Sequence, residues 1–186
     1  MILGLDISTS ITGYTVLDYH GKIIRSGAWD MRNKTKFKDF FEKAKYVKEK
    51  LLYTKAQYPI DALYVEQPFM FFNSGGSSAR TMASLQRFNG IISWLCYDTF
   101  DMAPEFITAS EARKTCGIKI KRGEKAKKVV MNWLLDNEKD FKVEYTHKGN
   151  PKPKYYDIAD SIIVAKAGHY LFEQGKKYTC YRQKIS

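Results

Sequence analysis

The sequence predicts an α/β protein with a mixed five-stranded sheet that is flanked by helices on both faces. Three segments within residues 1–31 are rich in strand-forming residues and are separated by turns, which predicts an antiparallel meander. Two later strands alternate with helical segments, which is typical of parallel strands, so the whole sheet is expected to be mixed. The five strands are predicted at 2–7, 13–17, 23–29, 60–66 and 105–108.

Helices are predicted where apolar residues recur at spacings of three and four. A capping box, Thr108 to Glu111, starts a further short helix that is expected to end near Gly117. The four longer helices are expected at 36–57, 77–97, 124–135 and 156–172.

The length of 186 residues suits a single domain, and the apolar fraction of 44% indicates a folded chain. We therefore expect residues 1–186 to form one domain. The stretch 137–154 is polar and contains Gly149, Pro151 and Pro153, which predicts a flexible insertion.

The cysteines and the apolar runs indicate a cytoplasmic protein that is neither secreted nor embedded in a membrane. Cys96, Cys116 and Cys180 are far apart, which argues against a zinc site or a disulfide framework and suits a reducing compartment. No apolar run reaches the roughly eighteen residues of a membrane span. The first residues lack a basic segment followed by an apolar one, so we expect no signal peptide.

The net charge points to a polyanionic partner. Lys and Arg number 31 against 20 Asp and Glu, which gives a net charge of +11. Such an excess attracts nucleic acid most often, although a basic soluble protein without such a partner has the same composition.

Four acidic residues stand where carboxylates are expensive to bury. Asp6 lies inside an apolar strand and Glu66 ends another, while Asp157 and Asp160 lie among apolar residues of the last helix. Residues three apart share one face of a helix, so Asp157 and Asp160 can point into one site. Three of the acids also have an ordinary explanation, namely a helix-dipole acid for Asp157, a lysine partner for Asp160 and a turn cap for Asp6.

The joint pattern of the four acids predicts a divalent cation site. Carboxylate oxygens suit Mg²⁺ or Mn²⁺. Two such ions about 3.5–4 Å apart can catalyse phosphodiester hydrolysis, one by activating water and the other by stabilising the departing 3′ oxygen.

Three segments of the chain resemble the RuvC-type Holliday junction resolvases of the ribonuclease H-like superfamily. Gly4–Ser8 with Thr12–Tyr14 is similar to their first strand and turn. Val65–Phe69 is similar to their second acidic strand end, and Asp157–Ser161 to their final Asp-x-x-Asp helix. The resemblance covers nearly the whole chain in order and spacing, and the three motifs together are fairly specific.

The resemblance implies a ribonuclease H-like fold, a homodimer and cleavage of four-way DNA junctions in recombination and repair. It implies two Mg²⁺ ions, for which Mn²⁺ is expected to substitute, and paired symmetric nicks with ligatable 5′-phosphate and 3′-hydroxyl ends. Asp6, Glu66, Asp157 and Asp160 match the metal ligands of the family, and Lys114 and Lys125 fall where two of its basic residues lie.

Two departures indicate a divergent viral or phage branch, whose members would act in the cytoplasm of the host cell. Bacterial members usually carry Pro-Gly after the first acid, where this chain has Ile7 and Ser8, and the insertion at 137–154 is long. Selectivity for four-way junctions over flaps and other branched DNA therefore stays open.

The segment from Arg113 to Lys128 contains eight basic residues and one acid, which favours contact with DNA phosphates over an idle solvated face. Two arginines on the helix at 77–97 are expected to add phosphate contacts. The predicted DNA-binding residues of these two regions are Lys114, Lys119, Lys121, Arg122, Lys125, Lys128, Arg80 and Arg87.

A loop with three aromatic residues, Phe69, Phe71 and Phe72, directly follows the second acidic strand. These rings would either wedge or stack against bases at a junction centre, or pack in the core or at a dimer interface. The sequence supports both interpretations equally. The helix at 77–97 that follows the loop is a second candidate for the dimer interface.

Other functions fit parts of the pattern. A flap nuclease, or a ribonuclease H-like enzyme that cuts RNA, would use the same four acids. An actin-like ATPase begins with a similar acidic turn but needs about twice this length, and a non-catalytic DNA binder would usually have lost one of the acids.

Overall fold

The computed structural model describes residues 1–68 and 79–183, with side chains as far as residue 175. The strands within these ranges are β1 (Ile2–Asp6), β2 (Ile11–Leu17), β3 (Ile23–Asp30), β4 (Ala62–Glu66) and β5 (Glu105–Ile107). The helices within them are α1 (Phe40–Gln57), α2 (Ala79–Phe100), α3 (Ala109–Thr115), α4 (Ala126–Asn137) and α5 (Lys154–Gln183). The predicted order of strands and helices is confirmed.

The strands form one mixed sheet in the order β3-β2-β1-β4-β5. The pairs β1–β2 and β2–β3 are antiparallel, whereas β1–β4 and β4–β5 are parallel. The predicted meander followed by parallel strand–helix units is therefore confirmed.

The sheet brings two of the predicted acids to the same edge. Leu5 of β1 pairs with Val65 of the parallel strand β4. Asp6 and Glu66 follow these two residues directly, and both strands end there. Because the strands run in the same direction, their final residues are neighbours in space.

Helices cover both faces of the sheet, as the sequence predicts. On one face, α1 and α2 pack against Leu3, Leu5 and other buried residues of the strands. On the other face, α3, α4 and α5 pack against Ile2, Leu17 and Tyr64. Successive residues of β1 thus face opposite layers, which is the alternation that any strand imposes. Among the described residues, no helix combines the length and the apolarity that a membrane span requires.

Glycine allows α5 to lie unusually close to the sheet. A Cβ atom at Gly4 would lie 2.6 Å from the backbone nitrogen of Ala165, and a Cβ atom at Gly13 would lie 2.0 Å from the carbonyl oxygen of Asp157. These neighbours are backbone atoms, which cannot move aside as a flexible side chain can. The contact also includes a hydrogen bond between the buried hydroxyls of Thr15 and Ser161, 2.9 Å apart.

Helix α1 begins later than predicted. It starts at Phe40 rather than at residue 36, because Asp39 is the N-cap and accepts hydrogen bonds from the backbone N–H groups of Phe41 and Glu42. Before the cap, the Asn33 side chain accepts hydrogen bonds from the backbone and holds a turn. Lys36 and Lys38 therefore precede the helix.

Helix α5 ends later than predicted. It continues to Gln183, whereas the sequence predicts an end near Phe172. The residues after Phe172 lack regular apolar spacing. The prediction depended on that spacing, and it stopped where the apolar pattern stopped.

The polar insertion at 137–154 makes defined contacts. Phe141 is buried, and Tyr145 forms an isolated bridge with Pro151. The Glu144 carboxylate accepts hydrogen bonds from Lys152, Lys154 and Tyr155 at 2.6, 3.0 and 2.7 Å. These contacts join the insertion to the first turn of α5, while its predicted flexibility stays a prediction.

A methyl group at Gly4 should separate α5 from the sheet. We expect Gly4→Ala to lower the free energy of unfolding by about 1–3 kcal/mol, because the new methyl would overlap the backbone of Ala165. Denaturant unfolding measures the difference. Gly90→Ala is the matched control, since a Cβ at Gly90 of α2 meets nothing within 4 Å. This control should be neutral or stabilising, because alanine favours the helix. Equal destabilisation by both substitutions would contradict the close approach of α5.

Candidate metal centre

Three of the four predicted acids converge at one point. The carboxylates of Asp6, Glu66 and Asp160 each offer an oxygen atom, and these oxygens all lie within 4.8 Å of one another. Asp6 and Glu66 come from the adjacent ends of β1 and β4, and Asp160 comes from the second turn of α5. In the part of the chain that the structure describes, no second group of His, Cys, Asp or Glu has this geometry.

Asp157, the fourth predicted acid, lies beside this group rather than within it. Its carboxylate is not among the oxygens within 4.8 Å of one another. Its negative charge still raises the pKa of Asp6 and that of Glu66, so it belongs to the same electrostatic environment. Asp157 lies about one turn of α5 before Asp160, and the close contact of Gly13 with the Asp157 carbonyl holds that turn against β2.

The turn after Asp6 is held by Ser8. The Ser8 hydroxyl accepts a hydrogen bond from the Ile11 N–H at 3.0 Å and donates one to the Ile11 carbonyl at 2.8 Å. Ser8 occupies the second of the two positions where the sequence departs from the usual Pro-Gly. A hydrogen-bonded serine turn therefore fulfils the need for a tight reversal between β1 and β2.

Burial raises the pKa of all four carboxyl groups, and repulsion by neighbouring carboxylates adds to the rise for three of them, Asp6, Glu66 and Asp157. Burial raises the pKa of Asp6 well above its ordinary value, and the neighbouring carboxylates raise it further. Burial, followed by the charge of Asp160, raises the pKa of Glu66 to about 7. Burial also raises the pKa of Asp157 to about 6 and raises the pKa of Asp160. A bound cation would remove this repulsion.

The donor set fits a hard divalent cation. The three clustered ligands are all carboxylates, which are the oxygen ligands that Mg²⁺ and Mn²⁺ prefer. The three side chains are only partly buried, so an ion and a substrate could reach them from solvent.

Two cations that are not among the individually predicted DNA-binding residues lie beside the acids. The Lys127 ammonium is 3.8 Å from Oδ2 of Asp160, and its charge lowers the pKa of all four acids. The Arg113 guanidinium lowers the pKa of Glu66 and of Asp160. Lys127 lies three and four residues before the buried Val130 and Met131 of α4, so helical spacing could have placed it on the inner side.

The predicted DNA-binding residues that the structure describes are exposed. A surface cleft of about 340 Å³ at the end of α3 is lined by Lys114 and Lys119, together with Arg113. Phe69, Phe71 and Phe72 lie outside the described residues. The remaining predicted residues, Lys121, Arg122, Lys125, Lys128, Arg80 and Arg87, are all on the surface.

The raised pKa of Glu66 predicts a specific pH dependence of stability in the metal-free protein. A carboxyl group whose folded-state pKa is above its unfolded-state pKa stabilises the fold below the unfolded-state value and loses that effect as the pH rises. The window here runs from an ordinary value of 4.5 to about 7. At pH 8 without metal, Glu66→Gln should therefore be more stable than the wild type, by an amount on the order of 1–3 kcal/mol.

Denaturant unfolding in EDTA between pH 4 and pH 8 measures this difference. Glu49→Gln on the exposed side of α1 is the control and should follow the wild type. If Glu66→Gln loses stability in parallel with the wild type as the pH rises, the ionised Glu66 carboxylate does not destabilise the metal-free protein.

Comparison with known proteins supports the fold at low sequence identity. No protein-family model matches the chain, and no curated protein sequence matches it. RuvC from T. thermophilus in complex with a Holliday junction substrate is 12% identical with a TM-score of 0.62, covering 92% of this chain and 94% of RuvC. A second Thermus thermophilus RuvC structure is 13% identical with a TM-score of 0.63, covering 94% and 96%.

The yeast mitochondrial Holliday junction resolvase Ydc2 gives a similar result. It is 14% identical to this chain with a TM-score of 0.60, and the match covers 100% of this chain and 84% of Ydc2. Similarity over nearly the full length of both chains shows a shared architecture. The resemblance that three acidic motifs indicate is confirmed at the level of structure, and the chain has the ribonuclease H-like fold of the RuvC-type resolvases.

Proposed function

We propose that the protein is a metal-dependent endonuclease that resolves four-way DNA junctions. The observation that carries this proposal is the group of carboxylates from Asp6, Glu66 and Asp160 at one sheet edge of a RuvC-type fold. A structural relative, RuvC from T. thermophilus, is in complex with a Holliday junction substrate. Action on a four-way DNA junction with this fold would explain both the clustered acids and the net charge of +11.

The four acids would bind two Mg²⁺ ions, with Mn²⁺ as a substitute. Asp6, Glu66 and Asp160 would provide the core of the site, and Asp157 would complete it from the adjacent turn of α5. Bound cations would supply the Lewis acidity that phosphodiester hydrolysis needs. The protein's contribution is to hold the carboxylates in place before the substrate arrives, which the packing of α5 on the sheet achieves.

Lys127 and Arg113 would guide the substrate phosphate to the acids. Both lower the pKa of the Asp160 carboxyl group against the effect of burial, which favours the ionised form that would bind a metal. The Lys127 side chain is 64% exposed, so an entering phosphate can reach its ammonium group from solvent. A phosphate bound by Lys127 would compete with Asp160 for the ammonium group.

The DNA would extend from the acids across α3, α4 and the loop between them. Arg113 and Lys127 belong to this region and adjoin the acids, and its other basic residues are exposed around them. Phosphate contacts of this kind fix the position of DNA without reading its sequence.

Paired symmetric nicks require two active sites, and we propose that a homodimer provides them. A four-way junction has near two-fold symmetry, which a two-fold dimer matches. Exposed aromatic side chains on α2, Trp94 at 60% and Tyr97 at 52%, offer an apolar surface for such a contact. Aromatic residues are enriched at protein interfaces.

Cleavage of a labelled four-way junction tests the nuclease function. In Mg²⁺ or Mn²⁺, the protein should make paired symmetric nicks near the junction centre. Asp160→Asn should lower the cleavage rate at least about a hundredfold, because it removes a metal ligand while its effect on phosphate contacts is small. The variant should still bind the junction in a gel-shift assay. Asp136→Asn, which changes an exposed acid of α4, is the control and should cleave normally.

The choice of substrate separates the alternatives. A flap, a linear duplex and an RNA–DNA hybrid are compared with the junction under the same conditions. Preferred cleavage of the flap or the hybrid would assign the acids to another branched-DNA nuclease or to an RNA nuclease. Normal cleavage by Asp160→Asn would contradict the assignment of these acids as the metal site.

The basic loop between α3 and α4 allows a separate test of DNA binding. Replacing Lys121 and Arg122 with alanine should weaken junction binding and lower the slope of log K against log salt by about two, because two phosphate contacts are lost. Fluorescence anisotropy over a range of salt concentrations measures the slope. Replacing Lys38 and Lys45, which are exposed beside and on α1, removes the same charge and should leave the slope nearly unchanged. Equal effects of the two double variants would place the DNA elsewhere.

A further inference from the structure

A pocket of about 410 Å³ lies on the face of the sheet opposite to the acids. Tyr14 of β2 lines it. The preceding residue, Gly13, faces α5, as its close approach to the Asp157 carbonyl shows. Since side chains alternate along a strand, Tyr14 projects toward α1 on the other face. The pocket is therefore separate from the metal centre.

The walls of the pocket are rich in aromatic side chains. The rings of Tyr14 and Trp29 are stacked, with centroids 4.9 Å apart and planes at 19°. Tyr53 on α1 is 65% exposed, so one face of the pocket is accessible to a ligand. Tyr14 and Trp29 cover one face of each other and Trp29 is buried, so the exposed ring of Tyr53 is the one that can accept a nucleobase by stacking, whatever the base. The aromatic residues that line the pocket are Tyr14, Trp29, Tyr46, Tyr53 and Tyr58.

Two cations join the aromatic residues. Arg25 of β3 interacts with the Tyr14 side chain, which raises the pKa of its guanidinium, and the Lys50 ammonium on α1 lies 5.2 Å from the centroid of the Tyr46 ring. No carboxylate lines the pocket within the described part of the chain. The charges of Asp30 and Glu49 raise the pKa of Tyr46, but neither carboxylate lines the pocket. Asp30 also forms an ion pair with Arg32 at 2.5 Å.

We infer that this pocket binds a nucleotide, with the base against the tyrosine rings and the phosphate at Arg25 and Lys50. Aromatic walls select a planar ligand, and cations without a lining acid select an anionic one. The volume falls within the range of about 300–1,000 Å³ that is typical of small-ligand sites. A free nucleotide and one unit of a single strand present the same chemistry. The inference does not depend on the proposed nuclease activity.

Isothermal titration of the intact protein in EDTA tests the inference. The probes are thymidine monophosphate, an oligothymidylate of about ten nucleotides, and an abasic strand of the same length. EDTA prevents metal-dependent cleavage of the strands. A salt concentration of roughly 0.15 M limits binding through net charge alone.

Two variants remove the two halves of the recognition. Tyr53→Ala removes an exposed ring and Lys50→Ala removes a cation, and each should weaken binding of the base-bearing probes about tenfold. The matched controls are Tyr19→Ala in the turn after β2 and Lys45→Ala on α1, which change an exposed tyrosine and an exposed lysine outside the pocket. Both controls should bind as the wild type does.

The outcomes are distinct. Binding of the monophosphate would identify a free-nucleotide site, and binding of the oligothymidylate alone would identify a site for single strands; both support the inference if the two variants weaken it. Equal binding of the abasic strand and the oligothymidylate would overturn it, because bases would then contribute nothing. Unchanged binding by Tyr53→Ala and Lys50→Ala would overturn it as well, because the ligand would bind elsewhere. Loss of cleavage in the junction assay would leave this result unaffected.

Discussion

The close contact of α5 with β1 and β2 is the constraint on which the acidic site depends. Gly4 and Gly13 leave no Cβ atom between the sheet and the helix backbone, and the buried hydroxyls of Thr15 and Ser161 fix the register. In that register, the turn that begins at Asp157 lies on β2. Asp160 therefore reaches the ends of the two parallel strands, where Asp6 and Glu66 lie.

The same packing concentrates negative charge in a partly buried site. Burial disfavours the charged form of these carboxyl groups and raises their pKa values, and repulsion between neighbouring carboxylates raises those of Asp6 and Glu66 further. Lys127 and Arg113 relieve part of this repulsion from α4 and α3. Site and interface are linked in this way, because the cations that stabilise the acids adjoin the basic surface on which we propose that DNA lies.

The two faces of the sheet have different chemistry. The face that carries α3, α4 and α5 combines acids at the strand ends with an exposed basic rim. The face that carries α1 and α2 has an aromatic and cationic pocket beside β2 and β3. Alternation along β2 separates these surfaces, since Gly13 faces α5 and Tyr14 faces α1. The nucleic-acid contact that we propose on one face and the nucleotide pocket that we propose on the other would therefore not overlap.

The sequence by itself determined the order of strands and helices, the mixed sheet and the identity of the three acids that cluster. These follow from local physics, because periodicity reports which residues are buried and a lone acid in an apolar strand needs a partner. Tertiary structure alone decided that Asp157 lies beside the cluster, that Lys127 contacts Asp160, and that five aromatic residues from β2, β3, α1 and the residue after it line one pocket. Such features depend on distances between segments that are remote in the chain, and periodicity within one segment carries no information about those distances.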